Sequence, residues 1–235
     1  MAINKQALVA AVAKFRADTA AAVKFVNPDF TNNAITRHRH EGVMKARAEL
    51  LKSLPAEPEA PKVNRASVIA GLTPTTADQI AVQARELGIV DRLIASGRTL
   101  AEVMHGASPE RLAAIASNAE VMPEVLRSDD PAAVVASIHE RVFEALVEAG
   151  HPQAVIARDA QAQFDEQAAW REVVKDTIEG AQTGAGLTAL FKADQEGFEA
   201  LMASNTEPVV NADTAEAVRK LDRTMGIGAA KAGAV

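Results

Sequence analysis

DPAAVVASIHERVFEALVEAGHPQAVIARDAQAQFDEQAAWREVVKDTIEG, residues 130–180, decides the fold. It contains two helix openings, Asp130-Pro131 and Pro152, and two helix closings, Gly150 and Gly180. Proline suits the first helical position, where its missing N–H would have no partner anyway, and glycine suits the residue just past the last turn. Between the first pair of marks Val135, Ile138, Val142, Phe143, Leu146 and Ala149 share one helical face, and Glu140, Glu144 and Glu148 line the opposite one. After Pro152 the apolar side runs through Val155, Ile156, Ala160, Phe164, Trp170, Val173, Val174 and Ile178. That predicts one unbroken helix over 152–179, about 42 Å long. Gln163 and Gln167 fall within this sector, where a polar side chain either borders an ordinary core or fixes register with a partner helix.

The same punctuation recurs on the N-terminal side. Thr73-Pro74 opens a helix that Gly88 can close, Ser108-Pro109 opens another, and Thr99 with Glu102 makes a capping box for a short one. Near the start Leu8, Val12, Phe15, Ala22 and Val26 recur at helical steps until Asn27-Pro28 stops them. Two further helices are expected over 187–203 and 212–225. No stretch alternates with period two; PVV at 208–210 is the best strand candidate, and it is short. The expected class is all-α, with an extended N-terminal helical arm, a small helical bundle and one long amphipathic helix.

Linkers suggest the division. SLPAEPEAPK at 53–62 is proline-rich and semi-rigid, and GAQTGAG at 180–186 reads as a flexible joint. The expected parts are a basic arm over 1–54, a Pro-rich linker over 55–72, a helical core over 73–180, and C-terminal helices with a tail over 181–235. The final GIGAAKAGAV is expected to be disordered unless a partner holds it.

Composition narrows the chemistry. The 235 residues include no cysteine, which excludes disulfides and thiolate nucleophiles. No apolar run approaches the roughly 20 residues that span a bilayer. Lys14, Arg16 and Asp18 interrupt the N-terminus, so it does not read as a secretory signal; a soluble chain is expected, with no membrane partner. The net charge of −6 is unevenly spread, since residues 1–54 carry nine Lys/Arg against four Asp/Glu and the remainder is acidic. A basic head on an acidic body points to contacts made by the ends, including contacts between copies.

The basic head contains ITRHRHEGVMKARAELLKS, residues 35–53. His38 and His40 stand two apart, about 200° around a helix, which is not the spacing that holds a metal ion on one face. Arg39, Arg47 and His40 fall on the side of Val43, Leu50, Leu51 and Leu54, so the positive charge encircles the helix instead of forming a phosphate-facing stripe. The favoured reading is a docking arm, with Arg37, Arg39, Lys45, Arg47 and Lys52 as candidate contact residues. On the long helix Phe164, Trp170 and Val174 are the candidate anchors. Residues 75–118 supply the alternative, a helix-turn-helix-like segment with a reading helix starting at Pro109 in a DNA-associated packaging or regulatory protein. The acidic balance of residues 110–180, 14 acids against six bases, weighs against it. GAQTGAGLT lacks the lysine of a phosphate loop, and His139 lies among apolar residues with no visible catalytic partner. No catalytic residue, cofactor or metal is expected.

KARAELLKSLP at the end of the arm, the linker PAEPEAP, the Ala/Glu-rich HERVFEALVEAG and the C-terminal AEAVRKLDRTMG give the chain a style that resembles helical structural and assembly proteins of tailed-bacteriophage heads and necks. The resemblance implies a non-enzymatic virion component, present in many copies, whose partners are copies of itself or other assembly subunits. It implies a place in the host cytoplasm during assembly and then in the virion.

Overall fold

The computed structural model describes residues 3–180, 184–204 and 212–226, and the protein is all-α. Its helices are α1 (Lys5–Lys24), α2 (Asn32–Lys52), α3 (Arg65–Gly71), α4 (Ala77–Ala95), α5 (Leu100–Met104), α6 (Pro109–Ser117), α7 (Pro123–Leu126), α8 (Pro131–Glu148), α9 (Pro152–Glu179), α10 (Ala185–Ala193), α11 (Gln195–Ala203) and α12 (Ala212–Thr224). A 3-10 turn, Ala119–Val121, precedes α7. No helix among the described residues is long and apolar enough to cross a membrane. The strand candidate at 208–210, residues 181–183 of the expected joint and the tail beyond Gly226 lie outside the described residues.

Local chemistry explains most boundaries. The Asp130 side chain accepts from Ala133 N at 3.1 Å to cap α8, and Pro131 takes the first helical position. At the other end Gly150 turns left-handed at φ 73°, which lets His151 N donate to Leu146 O at 2.9 Å and satisfy a terminal carbonyl. The Thr99–Glu102 capping box of α5 is formed as expected. Other boundaries differ. Thr76, not Thr73, caps α4, because Gln79 reaches back to the Thr76 backbone and completes a capping box. Helix α4 then runs through Gly88, whose cost of about 1 kcal/mol is outweighed by the burial of Val90 beyond it. Part of the expected 55–72 linker is helical: the prolines end at Pro61, and Asn64 and Ser67 box the start of α3. The helix expected over 187–203 breaks at Asp194, whose φ of −151° is far from helical.

Two units form, Met1–Pro58 with Asp165–Val235, and Glu59–Phe164. This differs from the expected division, in which the basic N-terminal helices stood apart as an arm. In the first unit Leu8 and Val12 of α1 and Leu50 of α2 are buried with Trp170, Val174, Leu190 and Leu201. An arm with such an apolar face cannot remain extended in water, and residues more than a hundred positions away cover it. The second unit has its own core, built around Val90, Leu112, Ile115, Val142 and Leu146. Helix α9 contributes to both cores, through Ala154 and Ala157 in its first half and Ala169, Trp170, Val173 and Val174 in its second. A single apolar stripe therefore does not describe it: Ile156 is half exposed, while Ala154 is sealed.

Helices α1 and α2 form an antiparallel hairpin with a close crossing. A Cβ placed on Gly42 would lie 2.8 Å from the Ala22 Cβ. Gly42 thus does not break α2; it lets α1 approach. Gly42→Ala gains helix propensity but must push the two backbones apart, and a net loss of about 1–2 kcal/mol is expected. Urea denaturation would show this as a lower midpoint with an unchanged slope, and a raised midpoint would refute the close crossing.

Candidate partner-docking surface

Of the five basic candidates on α2, two are used internally. Arg39 Nε donates to the Phe25 carbonyl at 2.8 Å, satisfying a backbone acceptor just past the end of α1. Arg47 makes a bidentate pair with Asp222 of α12, at 3.0 and 2.8 Å, with both side chains more than four-fifths buried. A forked guanidinium pair of this kind holds α12 to α2 with geometric specificity. Lys52 is exposed and pairs with Glu49 at 2.7 Å, and that hydrogen bond, with the charge beside it, holds the Glu49 carboxyl below its usual range. Lys14 bonds to Asp18, which raises the lysine above its ordinary value. Lys45 is exposed and lines a shallow, open cleft along the hairpin seam with Lys14, Asp18, Phe25, His38 and Glu49. The basic residues of the arm are thus engaged in different ways: Lys14 and Lys52 in local ion pairs, Lys5 and Arg47 in pairs with later parts of the chain, and Arg39 on a backbone carbonyl, while Arg37 and Lys45 are exposed.

What the hairpin presents outward is its tip. Asn27 starts a tight turn there, accepting Asp29 N on its side chain at 2.9 Å and Phe30 N on its carbonyl at 3.2 Å. The turn gathers three rings: Phe25 and His38 lie 4.1 Å apart between centroids, and Phe30 meets His38 edge-on at 6.4 Å. Val26 is 74% exposed and Phe30 44% exposed, with Arg37 and His38 exposed beside them. Val26, expected to be the last apolar residue of the first helix's buried face, lies outside the helix altogether, because α1 ends at Lys24. An apolar–aromatic tip edged by Lys24 and Arg37, with Asp29 and Glu41 nearby, is suited to another protein surface.

The α9 candidates separate in the same way. Trp170 and Val174 are completely buried in the first unit's core and offer nothing to a partner; Phe164 is half-buried. Trp170 Nε1 donates to Asp194 Oδ2 at 3.0 Å, Gly197 N donates to Asp194 Oδ1 at 3.0 Å, and Lys5 Nζ sits 3.0 Å from both Asp194 and Glu166. Burial pushes the Asp194 carboxyl up, but the indole, the Gly197 amide and Lys5 outweigh it and hold it below its usual range. Sequence reading did not find this clasp. Its one local signal is Asp194 followed by Gly197, an N-cap and the amide that it takes.

The reading helix of the helix-turn-helix alternative is α6, which starts at Pro109 as expected. In α6 Leu112, Ala114, Ile115 and Ala116 are buried, and Arg111 is turned onto Glu86 at 3.1 Å. The outward side of α6 carries Glu110 and no charge besides Arg111, a weak footing for a polyanion. His139 is half-buried, its Nε2 3.1 Å from Ala116 O, a structural role. Comparison with protein-family models, with curated proteins and with solved structures yielded no match.

Proposed function

We propose that the protein is a non-enzymatic assembly component that works by protein–protein contact, with the tip of the α1–α2 hairpin as a docking surface. The observation that supports this most is the exposure of Val26 and Phe30 on a turn that Asn27 closes with two hydrogen bonds. Leaving apolar side chains in water is unfavourable, and on a turn this well organised they are suited to be covered. The stylistic resemblance to head and neck proteins of tailed bacteriophages supplies the context: a virion component made in the host cytoplasm that meets copies of itself or neighbouring subunits. Because the exposed side chains of the tip are chiefly Val26 and Phe30, the contact should be largely apolar and should survive salt.

Light scattering of the purified chain at low and high salt tests the reading. A discrete oligomer at both salts is expected, and Val26→Asp with Phe30→Asp should lower its mass while leaving the helical circular dichroism unchanged. A wild-type chain that is monomeric in every buffer would overturn the proposal.

A further inference from the structure

Among the described residues the most exposed large apolar side chains are Val26, Leu126 and Val121, at 74%, 70% and 63%. The first belongs to the hairpin tip. The other two stand on one short segment of the second unit, the 3-10 turn and α7. Its backbone is well tied: Val121 N donates to Asn118 O at 3.1 Å, and Val125 N and Leu126 N both donate to Met122 O at 3.0 Å. Ala119, Met122 and Val125 are sunk in the core of the second unit, each 2% exposed or less. With those three held inward, Val121 and Leu126 form an apolar ridge in water, anchored from beneath and suited to be covered.

We infer that this ridge receives the hairpin tip of a neighbouring copy, with Val26 and Phe30 packed on Val121 and Leu126. Charge singles out that occupant. Residues 1–54 carry nine Lys/Arg against four Asp/Glu, whereas residues 59–164 carry nine against 14. The two spots repeat this contrast. Glu120, Glu124 and Asp129 edge the ridge, Lys24 and Arg37 edge the tip, and all five are exposed. None of the five has an ion-pair partner among the described residues. Asp29 and Glu41 at the tip and Arg127 beside the ridge carry the opposite signs, and they complement one another in turn. Two ridges face to face would set three carboxylates and one arginine against the same set, which repels. The tip supplies the lysine and arginine that the ridge lacks. The apolar side chains hold the contact and the charges steer the encounter, so salt slows assembly without dissolving it. Each copy gives one tip and one ridge, so copies join head to tail and close as a ring.

The inference rests on reading the tip as a docking surface, and it names what the tip meets. Two doubly substituted full-length chains test it: Val26→Asp with Phe30→Asp, and Val121→Asp with Leu126→Asp. Each alone should sediment as a monomer. Mixed in equal amounts they should give a one-to-one dimer and nothing larger, because one intact tip and one intact ridge remain. All four positions are exposed, and circular dichroism would verify the fold. Charge reversals that leave the apolar residues in place test the same pairing independently. Glu120→Lys with Glu124→Lys should slow association at low salt about tenfold, and adding Lys24→Glu and Arg37→Glu should restore the rate. An oligomer that withstands Val121→Asp with Leu126→Asp but is broken by the tip substitutions would overturn this pairing and leave the assembly reading intact. A mixture that stays monomeric would do the same. A wild-type monomer would overturn both.

Discussion

Trp170→Ala is expected to destabilise the protein by about 3–5 kcal/mol, the cost of removing a large aromatic side chain from a sealed core. Its surroundings allow little collapse, because Val12, Leu190 and Leu201 are held by separate helices, α1, α10 and α11. Trp170→Phe is the informative companion. It keeps much of the volume but removes the indole N–H bonded to Asp194, and a loss of about 1.5–3 kcal/mol is expected for a hydrogen bond to a charged group. Urea titration of the three proteins checks the order. If Trp170→Ala kept the wild-type midpoint and lost only assembly, the residue would be a docking anchor after all, and its place in the core would be wrong.

The second large effect is at Asp194. Asp194→Ala strips the cap from α11, leaves the Trp170 indole and the Gly197 amide without their acceptor and Lys5 with Glu166 alone, and is expected to cost about 3 kcal/mol. The figure is set at the lower end of the range because the Lys5 side chain is 41% exposed and partly screened. Asp194 also gives stability a pH dependence of known sign. Its folded pKa lies below the unfolded value, so its contribution is fully present above the ordinary carboxylate range and is lost as pH falls through the folded pKa. Lys5 acts at the other end: its raised pKa means a contribution present below the ordinary lysine value and lost as pH rises through the folded one. Midpoints measured from pH 7 down to pH 2 should fall less steeply in Asp194→Asn than in wild type. Equal slopes would show that the clasp does not titrate with folding.

The fold class and the limits of α8 and α9 were legible because their signals are local: a capping aspartate, a proline at the first position and a glycine after the last turn act within a few residues. The break at Asp194 was missed although it is also local, because the apolar pattern runs smoothly across it and the residue's reason for leaving the helix is Trp170, distant in sequence. The same limit explains the candidate surface. Helical spacing placed Arg39 and Arg47 on the apolar side of α2 correctly, but only the fold supplies the Phe25 carbonyl and Asp222 that engage them. Arg37, Lys45 and Lys52 are exposed, yet the exposed tip is defined by Val26, which the pattern assigned to a helix, and by Phe30, which it did not single out. The burial of Gln83 and Glu86 on α4 is illegible for the same reason, since nothing in either residue announces that Leu72 and Arg111 will meet them.

The second unit is inserted in the first: the chain leaves at Pro58 and returns at Asp165. On the ribosome this imposes an order. The hairpin is made first, but Leu8, Val12 and Leu50 stay uncovered until the second half of α9 and the helices after it have emerged, a delay on the order of ten seconds. The inserted unit can fold during that interval, and in doing so it shortens the chain separating the two halves of the first core, lowering the entropy lost when they meet. The nascent hairpin is therefore the stage most exposed to aggregation, and substitutions that slow folding of residues 59–164 should reduce the yield of folded protein even where the finished structure tolerates them.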